Sequence, residues 1–208
     1  IKEGIPKEKI MVTGNAIDPE EYIPKNLPRY NEALFKKYNI NADTKIVIFI
    51  GRKIEYKGMQ VLVNALKLLN VKLDLKLFLI GPSTEWFENF YAGLSQQEKN
   101  YIIDLGEIPH QDKVNLLHLS NVLVLPSEYE AFGIVFLEAW ICGIPVIGAD
   151  RGAMPYVIDG GGLVFKYGDC KELSEKIEFI LKDSLLSQKM ATEGKNKVLN
   201  LYNHDISH

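Results

Sequence analysis

At 208 residues, 47% hydrophobic and 25% charged, the chain has the composition of a soluble globular protein with a substantial core. A net charge of −3 gives no electrostatic case for a nucleic-acid binder, and no apolar run approaches the ~20 residues of a membrane span. Two cysteines, Cys142 and Cys170, cannot build a disulfide framework; Cys142, inside an apolar run, reads as a buried thiol. The chain opens on Ile1 and not Met, which reads as a fragment of a longer protein, so targeting signals cannot be judged from it.

Residues 1–40 are mixed: a short strand over 9–12, a turn through Asn15, Asp18 and Pro19, and a short helix over 31–38 are expected. A regular alternation follows. Continuous apolar runs of strand length occupy 45–50, 75–80 and 121–125, stopped by Gly51, Gly81 and Pro126, and two shorter runs cover 145–149 and 163–165. Such runs suit strands buried on both faces. Between them lie helical patterns. In 58–69, Met59, Leu62, Val63, Leu66 and Leu69 fall at spacings of three and four; Val114, Leu116 and Leu117 mark 113–119; Leu173, Ile177, Ile180 and Leu181 mark 172–181. Alternating strands and helices predict an α/β fold, a Rossmann-like doubly wound parallel sheet over residues 40–183. A more polar helix within 184–208 is expected to cross the surface or bridge to another domain.

In such sheets ligands bind beyond the carboxyl ends of the strands. Gly51 there permits a tight turn, and Arg52 and Lys57 place two cations near a helix start. They suit a diphosphate clamp, Arg gripping bidentately and Lys acting as a point charge; taken alone, solvated loop charges are the ordinary reading of them. The turn is neither a Walker loop nor Gly-x-Gly-x-x-Gly, which counts against a dehydrogenase. Farther along, Glu130 borders Phe132 and Gly133, where a helix begins with free N–H donors that favour an anion. The ordinary reading of Glu130 is a helix N-terminal acid. Glu138 lies inside an apolar helical run, where a charge is costly without a partner. That partner is either a nearby Lys or Arg, or a pair of ribose hydroxyls. A glycosidase would hold two carboxyls about 5–9 Å apart across one bond; an acid in a loop and another two turns down a helix need not converge so. Residues 152–156 and 159–163 read as glycine-rich turns. His110, His118, His204 and His208 show no metal spacing, and Trp86, Phe87 and Phe90 read as core or helix packing.

The Glu130-x(7)-Glu138 pattern with Phe132-Gly133 inside it resembles the signature of retaining glycosyltransferases of family 4, which have the GT-B fold. The resemblance runs through nearly the whole chain: Asn15 and Asp18, Gly51-Arg52, Lys57-Gly58, Pro126-Ser127, Glu138-Ala139, Gly143 to Ile147, Gly162-Leu163-Val164 and Asp169 keep the family's order. Ala16 replaces a usual Gly, Tyr156 stands where many members carry Glu, and the turn at Gly81 is shorter than the common glycine-rich version. This resemblance implies the C-terminal half of a GT-B fold, with residues 1–40 as interdomain linker and first elements and 184–208 crossing to an N-terminal domain outside these residues. It also implies roles: Glu130 on the donor-sugar hydroxyls, Phe132, Gly133 and Ile134 near the sugar and phosphate, Arg52 and Lys57 on the departing diphosphate, Glu138 on the ribose, and the backbone at Ile108 and Gly51 around the nucleotide. The expected activity is hexosyl transfer from a UDP-, GDP- or ADP-linked sugar to a sugar or lipid-linked acceptor, with retention and with no metal or other cofactor required. The acceptor glycan or lipid carrier is expected on the other domain, and the fragment alone is expected to be inactive. The resemblance implies a cytoplasmic enzyme, and association of the full-length protein with the inner membrane face is left open. The competing reading is a catalytically idle nucleotide-binding or regulatory module.

Overall fold

A computed structural model describes residues 17–24, 32–70 and 73–202. The expectations placed on residues 9–12, Asn15, Ala16, Asn31, His204 and His208 lie outside the described residues. Six parallel strands form one sheet in the order β3-β2-β1-β4-β5-β6: β1 (Lys45–Ile50), β2 (Leu75–Ile80), β3 (Ile102–Gly106), β4 (Val122–Leu125), β5 (Val146–Ala149) and β6 (Gly162–Phe165). The central strands carry their apolar runs because helices cover both faces; every residue of β4 and β5 is buried.

Nine helices accompany the strands among the described residues: α1 (Glu32–Tyr38), α2 (Met59–Asn70), α3 (Glu85–Ala92), α4 (Gln96–Tyr101), α5 (His110–Leu119), α6 (Ile134–Ile141), α7 (Met154–Ile158), α8 (Cys170–Lys182) and α9 (Ser184–Leu201). The face of α2 that its periodicity marks, from Met59 through Leu62 and Leu66 to Leu69, is buried; each such side chain contributes roughly 1.5–3 kcal/mol. None of the nine is long and apolar enough to cross a membrane.

Sequence patterning missed β3, α3 and α4, and read α7 as a turn. The β3 strand pairs only with β2 and most of it is partly exposed, so it lacks the continuous apolar run of a strand covered on both faces. The short, polar α4 has no apolar stripe, yet Ser95 and Glu98 cap it reciprocally, a start signal readable as Ser-x-x-Glu. In α3, Thr84 accepts a hydrogen bond from the Phe87 N–H, Phe87 is buried, and Trp86 and Phe90 pack against the core. α7 has Pro at its start, a position where the missing N–H costs nothing; Met154, Val157 and Ile158 are buried on β5 and β6.

The C-terminal α9 lies on α6. Its Met190, Ala191, Gly194 and Val198 are buried, and a Cβ on Gly194 would stand 2.2 Å from the Trp140 ring. Trp140 is anchored from the other side, its Nε1–H donating to the Gly161 carbonyl at 2.7 Å.

Because the strand order reverses between β1 and β4, the connections leaving their carboxyl ends diverge and leave a crevice. Two backbone contacts fix how the loops meet there. Gly58, at φ 74°, ends the 3₁₀ turn Glu55–Lys57 so close to β4 that a Cβ would lie 2.2 Å from the Pro126 carbonyl oxygen. The Glu128 N–H donates to the Tyr56 carbonyl at 2.7 Å.

Candidate active site at the topological switch point

Lys57 leaves the turn after β1 and Glu130 leaves the loop after β4. Their side chains meet with Nζ 2.6 Å from Oε2, both mostly buried. Glu130 also borders the start of α6: Gly133, at φ 80°, holds the left-handed conformation before Ile134, and no side chain caps the helix. A Cβ at Gly133 would strike the Phe136 ring at 2.8 Å and stand 3.6 Å from Glu130 Cγ. The first-turn N–H groups of α6 therefore open beside a Lys–Glu pair, and free donors at a helix start attract an anion. Phe132 is half-buried, edge-on to Tyr202 at 5.4 Å, and Ile134 is exposed.

Arg52 follows Gly51 and is exposed. Among the described residues it makes no ion pair. Its neighbour Lys53 behaves in the opposite way. Lys53 is fully buried, ion-paired with Asp104 on β3, with Nζ 4.8 Å above the Phe87 ring. Its N–H donates to the Pro82 carbonyl, and its own carbonyl accepts from Thr84 Oγ1 at 2.6 Å. Sequence reading gave Lys53 no role, since nothing local distinguishes a buried lysine from a solvated one. Here it ties the β1 loop to the β2–α3 loop and so holds the backbone that carries Arg52.

Glu138 takes Lys113 of α5 as its partner, with Nζ 2.9 Å from both carboxylate oxygens. The Lys–Arg alternative read from the sequence is thus present, and Lys113 itself was not singled out, being 25 residues away in the chain. Tyr22, in the 3₁₀ turn Pro19–Tyr22, completes this cluster. Burial, and then the Glu138 carboxylate, push its phenol well above the ordinary value. His118 and His110 meet the same turn through the carbonyls of Tyr22 and Glu21 at 3.0 and 3.1 Å. Ile108 lies partly buried in the loop between β3 and α5. The structure therefore joins Lys57 to Glu130 directly, with Gly133 beside Glu130, sets Arg52 on the same loop as Lys57, and connects the Ile108 loop to Glu138 through α5.

Cys142 is buried beside this cluster, and its thiol is pushed up to about 12 by burial and by Glu138. Among the described residues no group of three or more His, Cys, Asp or Glu side chains is placed to hold a metal ion.

The family model described as glycosyl transferases group 1 matches residues 31–197. N-acetyl-alpha-D-glucosaminyl L-malate synthase of Bacillus anthracis is 31% identical over 93% of this chain and 50% of its own length; the chain spans about half the length of the curated relatives it matches. The solved C-terminal domain of a glycosyl transferase group 1 family protein from Francisella tularensis superposes with a TM-score of 0.76 at 25% identity, over 90% of this chain and 99% of that one. Anabaena HepE, solved with UDP and glucose, has a TM-score of 0.78 at 20% identity, over 90% and 52%, a likeness of fold. By its family match and its GT-B-like architecture, the chain belongs to the glycosyl transferases group 1 family.

Proposed function

We propose that the chain is the donor-binding half of a retaining glycosyltransferase of the family-4 type, which transfers a hexose from a nucleoside diphosphate sugar to a sugar or lipid-linked acceptor. The observation that carries this reading is the uncapped start of α6 beside the Lys57–Glu130 pair at the switch point. The diphosphate lies against the α6 N–H groups, with Arg52 and Lys57 neutralising the charge that develops as it departs, and electrostatics aimed at developing charge is the strongest lever such a site has. Glu130 holds hydroxyls of the donor sugar. Glu138, oriented by Lys113, accepts from the ribose hydroxyls, and the backbone at Ile108 and Gly51 meets the nucleotide. The acceptor hydroxyl attacks the anomeric carbon from the face the diphosphate leaves, giving its proton to a donor phosphate oxygen, so configuration is retained without a separate protein base. Two cations on the phosphates make a metal ion unnecessary for charge neutralisation.

Residues 1–40 then serve as linker, 40–183 as the nucleotide-sugar domain, and 184–208 run toward an acceptor-binding domain. HepE was solved with UDP and glucose, and a curated relative from Corynebacterium glutamicum, 27% identical, is described as GDP-mannose-dependent; both support a nucleotide-sugar donor. Calorimetric titration with UDP, GDP and ADP in the absence of metal tests the reading. Micromolar binding of one nucleotide is expected, and binding of none of the three overturns it.

A further inference from the structure

We propose that Lys53 and Asp104 are positioning residues for the donor: the ion pair between them sets the spacing between the Arg52 loop, which takes the diphosphate, and the Ile108 loop, which takes the nucleoside. The proposal rests on the donor reading above and adds to it the residues that hold the two halves of that site in register.

Three loops leave the carboxyl ends of the adjacent strands β1, β2 and β3. Lys53 sits in the first and meets the other two. Its N–H donates to the Pro82 carbonyl at 2.9 Å, and its carbonyl accepts from the Thr84 hydroxyl at 2.6 Å, so the loop after β2 holds its backbone on both sides. Its side chain reaches farther, to Oδ1 of Asp104 on β3. The same oxygen accepts from the Gly106 N–H at 3.2 Å. Gly106, at φ 62°, is where the chain turns out of β3 toward Ile108.

The backbone closes the remaining side. The Gly106 carbonyl accepts from the Gly81 N–H at 2.7 Å, and Gly81 lies so near Gly51 that a Cβ would stand 2.2 Å from the Gly51 carbonyl oxygen. The contacts form a ring, from the β1 loop to the β2 loop, on to the β3 turn, and back through the ion pair. Arg52 directly precedes one end of that pair, and Ile108 follows shortly after Gly106 at the other.

Holding the fold together does not account for this choice of residues. Lys53 is fully buried. Taking an ammonium out of water commonly costs more than an ion pair returns, and a well-packed apolar pair would stabilise the fold at least as well. What the charges add is direction. A cation held between the Asp104 carboxylate and the Phe87 ring, 4.8 Å from its centroid, favours a single arrangement of the loops that carry these groups, whereas apolar side chains repack. A ligand gripped at both ends needs such a fixed spacing, because a displacement of about 1 Å between the two grips forfeits one of them.

Calorimetry on the chain tests this, first with UDP, GDP and ADP, then with the nucleotide that binds, its nucleoside and inorganic pyrophosphate. In Lys53→Met/Asp104→Leu, which removes both charges, the nucleoside diphosphate is expected to bind about fivefold or more weakly. Nucleoside and pyrophosphate, each touching one loop, should change by less than about twofold. Asp104→Asn, which keeps the side chain's shape and its acceptor for the Gly106 N–H, should show the same selective loss at smaller size, and it carries the test if the double variant does not fold by circular dichroism. Unchanged diphosphate binding in the folded variants overturns the positioning role, as do equal losses for all three ligands, the mark of general loosening. Either result with a nucleotide bound by the parent chain rejects the pair alone; a parent that binds none of the three nucleotides rejects the donor reading and the pair with it.

Discussion

The Nζ of Lys57 and the Oε2 of Glu130, 73 residues apart in the chain, lie 2.6 Å from each other with their side chains 16% and 17% exposed. A cation and an acid so placed have opposite uses. In the donor-binding role proposed above, the amine attracts a leaving phosphate, and the carboxylate, held by the amine, keeps a fixed acceptor for sugar hydroxyls.

Removing the cation therefore discriminates between parts of one ligand. Lys57→Ala and Arg52→Ala are each expected to weaken nucleoside diphosphate binding about tenfold or more, the scale of one charge-assisted hydrogen bond, and to leave nucleoside binding nearly unchanged. Calorimetry with matched nucleoside and diphosphate measures both. Equal losses for the two ligands would remove the clamp assignment.

The Lys113–Glu138 pair is expected to behave as a partly buried ion pair, with side chains 17% and 10% exposed. Lys113→Met leaves an unpaired acid and destabilises the fold by about 3–5 kcal/mol, whereas the double change Lys113→Met/Glu138→Leu recovers most of that loss. Urea denaturation of the two single variants and the double variant supplies the cycle. A double variant no more stable than Lys113→Met would show that the pair has no such coupling.

The two thiols should separate cleanly. Burial raises the Cys142 thiol from 9.0 to about 12, so it stays protonated and unreactive in the folded chain, while half-buried Cys170 is open to reagent. Mass spectrometry after iodoacetamide treatment at pH 8 should find label on Cys170 only, and on both after unfolding. The folded-state value lies above the unfolded one, so this group's contribution to stability is intact below pH 9 and declines as pH rises toward 12. Cys142→Ala should flatten that alkaline decline; an unchanged slope would assign it to other groups.

Gly58→Ala tests how the loops are held. Its φ of 74° and the 2.2 Å approach of an added Cβ to the Pro126 carbonyl leave the new methyl group no room against backbone. A loss of about 2–4 kcal/mol is expected, together with weaker diphosphate binding, because Lys57 and Glu130 would be pushed apart. Thermal unfolding with nucleotide titration reads both, and a variant as stable as the parent would contradict the packing described here.

Much of the fold was legible because strands covered on both faces must be continuously apolar: β1, β2, β4 and β5 each lie within about a residue of the runs marked in the sequence. The edge strand β6, though partly exposed, was legible too because its Leu163, Val164 and Phe165 keep a short apolar run. β3 was not legible, because an edge strand half-open to solvent tolerates Asp104 in its middle and shows no such run. The Glu130 to Glu138 segment declared itself by chemistry: a charge in an apolar helix demands a partner. Which partner it takes could not be read, because Lys113 reaches it from another helix.

The sequence by itself determined the class of the sheet, the positions of the loops that follow its strands, and the need for something polar at Glu138, since these depend on local periodicity and on the cost of burying charge. Only the tertiary structure decided that Lys57 meets Glu130, that Lys53 is buried against Asp104, and that Tyr56 and Tyr129 stand side by side at the opening. All three follow from strand order: the reversal brings the ends of β1 and β4 together for Lys57–Glu130 and Tyr56–Tyr129, and the β3-β2-β1 run brings Asp104 within reach of Lys53. Strand order is a property of long-range packing that no local pattern of residues encodes.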